Sequence, residues 1–138
     1  MQFPAAMDHA IRILHYLHVH KDFATAQDIS VANGISYQNF SKISIKLREK
    51  DLIASMQGRN GGYFLAKPAN KISFYDVFLA LEGDIAIHHS LADKDCTQHA
   101  PSHCAFRSYF ENIQKLLIDE LSSQSVADFA PLLQKESA

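Results

Sequence analysis

Two cysteines, Cys96 and Cys104, are separated by seven residues and lie close to His88, His89, His99 and His103; the 138-residue chain has no third thiol. Thiolate and imidazole are the ligands tetrahedral zinc takes, so Cys96, His99, His103 and Cys104 form a compact candidate set, with His88 and His89 in reserve. The adjacent His103-Cys104 pair is an unusual spacing for zinc. Two thiols alone can instead close a reversible disulfide, within or between chains, and so report an oxidant directly. A segment that binds nothing is the remaining reading.

A second group of residues suits nucleic acid. Ser36, Tyr37, Gln38, Asn39 and Ser41 are polar groups at the start of an expected helix, and Lys42, Lys46 and Lys50 follow at spacings of four. Gln38 or Asn39 can read adenine through two hydrogen bonds, worth about 1–3 kcal/mol of discrimination. Lys42 and Lys46 can neutralise phosphates without reading sequence. Arg59 and Asn60 lie at the tip of the loop Gln57-Gly58-Arg59-Asn60-Gly61-Gly62, from which a guanidinium can enter a narrow minor groove. Thr25, just before the preceding helix, completes the DNA-contacting set. No phosphate-binding glycine loop, nucleophile motif or pair of carboxylates at catalytic spacing occurs, so an enzyme is not expected.

The elements that must position these groups are legible. Met7, Ala10, Ile11, Leu14 and Leu17 recur every three or four residues and predict a helix from about Pro4 to His20, with Pro4 in its first turn. Thr25 caps a short helix from Ala26 to Ala32, stopped by Asn33-Gly34, and Ser36 caps a third helix to about Lys50 that turns Phe40, Ile43 and Leu47 inward. Leu52–Met56 and Tyr63–Ala66 read as strands around the glycine-rich loop. Ser73 caps a helix from Phe74 to Glu82, and a longer one runs from Ala105 to about Leu121 with Phe106, Tyr109, Phe110, Ile113, Leu116, Leu117 and Leu121 as its apolar residues. Ser125 caps a last helix, Val126 to Leu133. Two short helices in tight succession, the second basic and followed by a β-hairpin, predict a winged helix-turn-helix.

Composition and charge fit this plan. With 47% hydrophobic residues the chain is ordinary for one globular unit and too apolar for a disordered one. The net charge of −2 conceals an asymmetry: residues 1–71 hold nine Lys/Arg against five Asp/Glu, and residues 72–138 hold four against ten. A basic first half is what phosphate binding needs. Neither a membrane-spanning apolar run nor a signal-peptide pattern is found, which predicts a cytoplasmic protein with no membrane partner, whose thiols are reduced, metal-bound or redox-active.

Gly58-Arg59-Asn60-Gly61-Gly62-Tyr63-Phe64-Leu65-Ala66-Lys67-Pro68 resembles the wing signature of the Rrf2 (Rrf-two) family, the IscR/NsrR-like winged-helix transcriptional regulators. Asp8 to Arg12, Asp28 to Ser36, Asp76 to Gly83 and Ser125 to Phe129 resemble further family segments, so the likeness covers nearly the whole chain. It implies a mainly α fold, a winged helix-turn-helix with a two-stranded β-wing and a long C-terminal dimerisation helix. The expected division is residues 1–83 for DNA binding, 84–104 for a Cys/His sensor loop and 105–138 for dimerisation and the tail. The implied function is a homodimeric repressor on roughly palindromic, double-stranded promoter DNA, responsive to redox state, nitric oxide or an iron–sulfur cluster. Other classes left open are a thiol-disulfide or zinc-dependent regulator, a small metal-binding electron carrier and a protein-interaction adaptor.

The family pattern places three cysteines before the dimerisation helix; this chain has two, with Cys104 matching the last. Irons of such clusters accept His in place of Cys. Asp8 matches a position from which some members donate a carboxylate across the dimer. The resemblance therefore implies a 2Fe-2S or 4Fe-4S cluster on Cys96, Cys104, Asp8 and one of His99 or His103, with zinc or no group as the alternatives. For Asp8 the simpler role is a favourable charge near the start of a helix dipole.

Overall fold

The computed structural model describes residues 3–21, 23–87 and 101–129. Helix α1, Ala5–Val19, buries Met7, Ala10, Ile13, Leu14 and Leu17, and Pro4 is its N-cap rather than a residue of its first turn. The expected stripe is shifted: Ile13 is wholly buried, whereas Ile11 is only half-buried. Helix α1 meets the second, third and fourth helices as well as the hairpin, so a wider arc of its surface is covered than one apolar stripe supplies.

Helix α2, Ala26–Asn33, opens with a reciprocal cap in which the Thr25 hydroxyl accepts from the Asp28 amide at 3.1 Å and the Asp28 carboxylate accepts from the Thr25 amide at 3.4 Å. Gly34 ends it at φ 63°, in the left-handed conformation the Asn-Gly pair predicts. Helix α3, Tyr37–Glu49, follows after three residues, with Phe40, Ile43, Ser44 and Leu47 buried. Its end is closed by the Asp51 amide donating to the Arg48 carbonyl and the Leu52 amide to the Leu47 carbonyl, both at 3.0 Å, which forces Asp51 to φ 57°.

Strands β1, Ile53–Met56, and β2, Gly62–Leu65, form an antiparallel hairpin in which Ile53 faces Leu65 and Met56 faces Gly62. This wing is anchored at its base. The Tyr63 amide donates to the Ala24 carbonyl at 2.7 Å and the Ala24 amide to the Tyr63 carbonyl at 3.1 Å, so the α1–α2 connection pairs with β2 like a fragment of a third strand. On the other side, the Tyr63 ring meets Phe40 of α3 edge-on, with centroids 5.2 Å apart.

A single 3₁₀ turn, Ala69–Lys71, leads to α4, Phe74–Glu82, which Ser73 and Asp76 cap reciprocally at 3.0 Å in both directions. Helix α5, Pro101–Ser123, begins at Pro101 rather than Ala105. The chain leaving it returns to the core: the Phe74 amide donates to the Gln124 carbonyl, the Val126 amide donates to the Ile72 carbonyl, and Val126 is 1% exposed. Residues 126–129 are helical behind a Ser125 cap, and the rest of the expected last helix lies outside the described residues.

One core serves all of these elements, with Phe40, Ile13, Leu14, Ile29, Leu47 and Val77 at its centre. Helix α5 contributes little to it. Phe106, Tyr109, Ile113 and Leu116, at helical spacings of three and four, are all exposed, Phe106 and Tyr109 by 63% each. No helix among the described residues is long and apolar enough to cross a membrane.

Candidate DNA interface

Helix α3 has two opposed faces. Phe40, Ile43 and Leu47 fix it to the core, and an ideal helix advances about 100° per residue, so Gln38, Ser41 and Lys42 share the opposite side. Gln38 and Lys42 are exposed and Ser41 is half-buried. Tyr37 is 68% exposed. The Ser36 hydroxyl is engaged in capping, accepting from the Asn39 amide at 3.2 Å, and the Thr25 hydroxyl is engaged in the same way on α2. Both caps are exposed, so each retains lone-pair or donor capacity for an outside group.

Two expected members, both exposed, stand on the flank of this face rather than at its centre. Asn39 and Lys46 turn to the flank facing α1 and α4, where they line a crevice of about 230 Å³ with Ala5, His9, Lys42 and Leu81. The Lys46 ammonium donates to the Leu81 carbonyl at 3.2 Å, in the last turn of α4, where a cation satisfies an orphan acceptor and meets the negative end of the helix dipole. Lys46 is therefore a brace between α3 and α4. Arg59 and Asn60 are exposed at the wing tip, where the Gly61 amide donates to the Gly58 carbonyl at 3.1 Å.

Two residues of this surface escape a reading by residue type. Arg48 donates to the Ser55 hydroxyl at 3.4 Å and joins the end of α3 to β1. Ile45, 45% exposed, lies on the Gln38–Lys42 face. Helical spacing was the available signal for Ile45, which follows Gln38 by seven positions; an apolar residue does not look like a contact residue until its exposure is known.

Of the expected sensor residues, Cys96, His88, His89 and His99 lie outside the described residues. His103 and Cys104 fall within the first turn of α5. Asp8 is on the first turns of α1, its carboxylate 65% exposed and 3.1 Å from the Arg12 guanidinium. No group of three potential metal ligands is found among the described residues.

A helix-turn-helix followed by an anchored two-stranded wing defines a winged-helix DNA-binding transcription regulator. Comparison with known proteins agrees. Residues 3–131 match the family model described as Rrf2, iron-dependent transcriptional regulator, and the chain belongs to that family. It is 32% identical over 136 residues to the putative HTH-type transcriptional regulator YffB of Lactococcus lactis, covering 94% of this chain and 87% of that one. It is 26% identical over 124 residues to the HTH-type transcriptional regulator NsrR of Oceanobacillus iheyensis, covering 83% and 84%. In fold it resembles CymR (YrzC), the global cysteine regulator of B. subtilis, with a TM-score of 0.76 at 20% identity over 96% of this chain and 98% of that one.

Proposed function

We propose that this protein is a homodimeric, cytoplasmic repressor that occupies promoter DNA and is released by a redox-linked change in residues 84–104. The observation that carries the reading is the α3 surface: a polar, exposed face held opposite the core, with a wing bonded alongside it. Gln38, with Ser36, Tyr37, Asn39 and Ser41 around it, addresses base edges and sugars at the helix start; Lys42 neutralises a phosphate; Arg59 and Asn60 reach an adjacent minor groove; Thr25 contacts the backbone. Lys46 positions α3 through α4 and contributes less to phosphate binding than its charge suggests.

Dimerisation falls to α5. Phe106, Tyr109, Ile113 and Leu116 form a stripe too large to leave in water on a regulator of this size, and a second copy of the same helix covers it by two-fold symmetry. Residues 1–83 then bind DNA and residues 105–138 pair the protomers. Half-sites of such a dimer lie about 34 Å apart.

The donor set of the sensor fits an iron–sulfur cluster chemically: two thiolates, at least one imidazole and a carboxylate. Cys96 and Cys104 would hold it with His99 or His103, and Asp8 would complete the set. Such a group supplies a ligation state that responds to electrons, oxygen or nitric oxide. Asp8 is suited to this because its partner among the described residues is Arg12, in an exposed ion pair worth no more than about 1 kcal/mol, so recruiting it costs little. A direct dithiol switch of Cys96 and Cys104 is the second reading, favoured by the presence of only two thiols.

Anaerobic purification followed by an absorption spectrum and iron, sulfide and zinc analysis tests the sensor. Visible bands with matching iron and sulfide support the cluster; a colourless, iron-free protein that also fails to reconstitute refutes it, and zinc or a reversible disulfide then takes its place. Selection from random duplexes tests DNA reading independently, since a repressor enriches one sequence with dyad symmetry and an adaptor enriches none.

A further inference from the structure

Helix α3 carries an apolar side chain in the middle of its polar face. Ile45 takes no part in the core cluster and is 45% exposed, whereas Ile43 two residues earlier is 5% exposed. At about 100° per residue, Ile45 lies about 20° around the helix from Gln38, between Ser41 and Lys42. Its direction is held from both sides. Arg48 ties one flank of α3 to Ser55 of β1, and Lys46 ties the other to the Leu81 carbonyl of α4.

We propose that Ile45 reads thymine through its 5-methyl group, resting on the assignment of α3 as the base-reading helix. The thymine methyl is the one apolar group that the major groove displays, and cytosine in the same place offers an amino donor that an aliphatic side chain leaves unpaired. A β-branched residue in a helix has one dominant χ1 rotamer, so Ile45 meets the methyl with little ordering entropy. Seven residues at 1.5 Å place Ile45 about 10.5 Å beyond Gln38 along the axis, or about three base-pair steps at 3.4 Å each. Gln38 and Ile45 therefore read different base pairs of the same half-site.

The test begins with the sequence enriched from random duplexes by the full-length dimer. Each thymine of that sequence is then replaced singly by deoxyuridine, which removes only the methyl. The native protein should bind about fourfold more weakly at one thymine per half-site, the effect of one buried methyl. Ile45→Ala should bind the two duplexes equally, Ile45→Val should retain most of the difference, and Lys42→Ala should weaken both duplexes alike. Thermal unfolding of Ile45→Ala should match the native protein, because the side chain is outside the core. Deoxyuridine having no effect at any position, or an effect that persists in Ile45→Ala, overturns the inference while leaving DNA reading by α3 intact. Failure to enrich any sequence overturns both.

Discussion

Replacing Gly62 by alanine tests whether the wing is held by its base. Gly62 has φ 153°, and a Cβ there would stand 2.6 Å from the Ala24 carbonyl oxygen and 2.8 Å from its carbon. Those atoms are backbone and belong to the pairing that anchors β2, so they cannot move aside without breaking the two Ala24–Tyr63 hydrogen bonds. Gly34 is the natural control, because it has φ 63° and nothing within 4 Å of the Cβ position. Gly34→Ala should therefore cost only the left-handed strain, about 1–2 kcal/mol. Gly62→Ala adds an overpacking cost of about 1–3 kcal/mol and weakens two bonds worth about 1 kcal/mol each. Together with the positive-φ strain at Gly62 the sum is about 4–7 kcal/mol, or a fall in Tm of roughly 12–28 °C for a chain of this size. Urea and thermal unfolding of both variants measure it. The reasoning is refuted if Gly62→Ala lies within about 1 kcal/mol of Gly34→Ala, which would mean that the wing tolerates separation from the α1–α2 connection.

Lys42→Ala should lower the slope of log affinity against log salt by about one, whereas Lys46→Ala should change that slope less and destabilise the α3–α4 contact; filter binding over a salt series, with unfolding curves, distinguishes them. Asp51→Gly should raise stability by about 1 kcal/mol by removing the cost of a left-handed non-glycine residue, and Asp51→Val should lower it, both read from urea midpoints. The Ser125 backbone amide, and secondarily its hydroxyl, hold the Asp128 carboxyl below its usual value. A depressed carboxyl stabilises the fold above its unfolded pKa and loses that contribution as pH falls through its folded value, so Asp128→Asn should remove a stability decline confined to pH below about 4. Disrupting the α5 stripe with Leu116→Glu should give a folded monomer by sedimentation, with operator affinity reduced by orders of magnitude because only one half-site is held at a time.

The residues that define the helices also bound them, and this is why so much was legible. Thr25, Ser36 and Ser73 satisfy donors within three residues of themselves, and Gly34 relieves strain at its own φ; such effects are local and depend on neither partner nor packing. The helix-turn-helix, the presence of a hairpin after it and the buried face of α3 follow from them and from period alone, whereas the pairing of Ile53 with Leu65 was not legible. The length of α5 was less legible, since Pro101 begins it four residues before the expected start at Ala105.

Other features depended on where distant segments meet. The width of the buried arc on α1, which takes in Ile13, follows from its being surrounded by α2, α3, α4 and β2, not from its own sequence. The pairing of Ala24 with Tyr63, and of the chain after α5 with the start of α4, joins residues far apart by hydrogen bonds that leave no periodic trace. Lys46 has the same charge and spacing as Lys42, yet Leu81 happens to end a helix within its reach, and a charge pattern cannot say which lysine has an acceptor waiting. Sequence alone determined the elements and the chemistry on offer, because those arise from each residue and its near neighbours. Only the tertiary structure decided which of those groups remain free to meet DNA, because that depends on what the rest of the chain has already engaged.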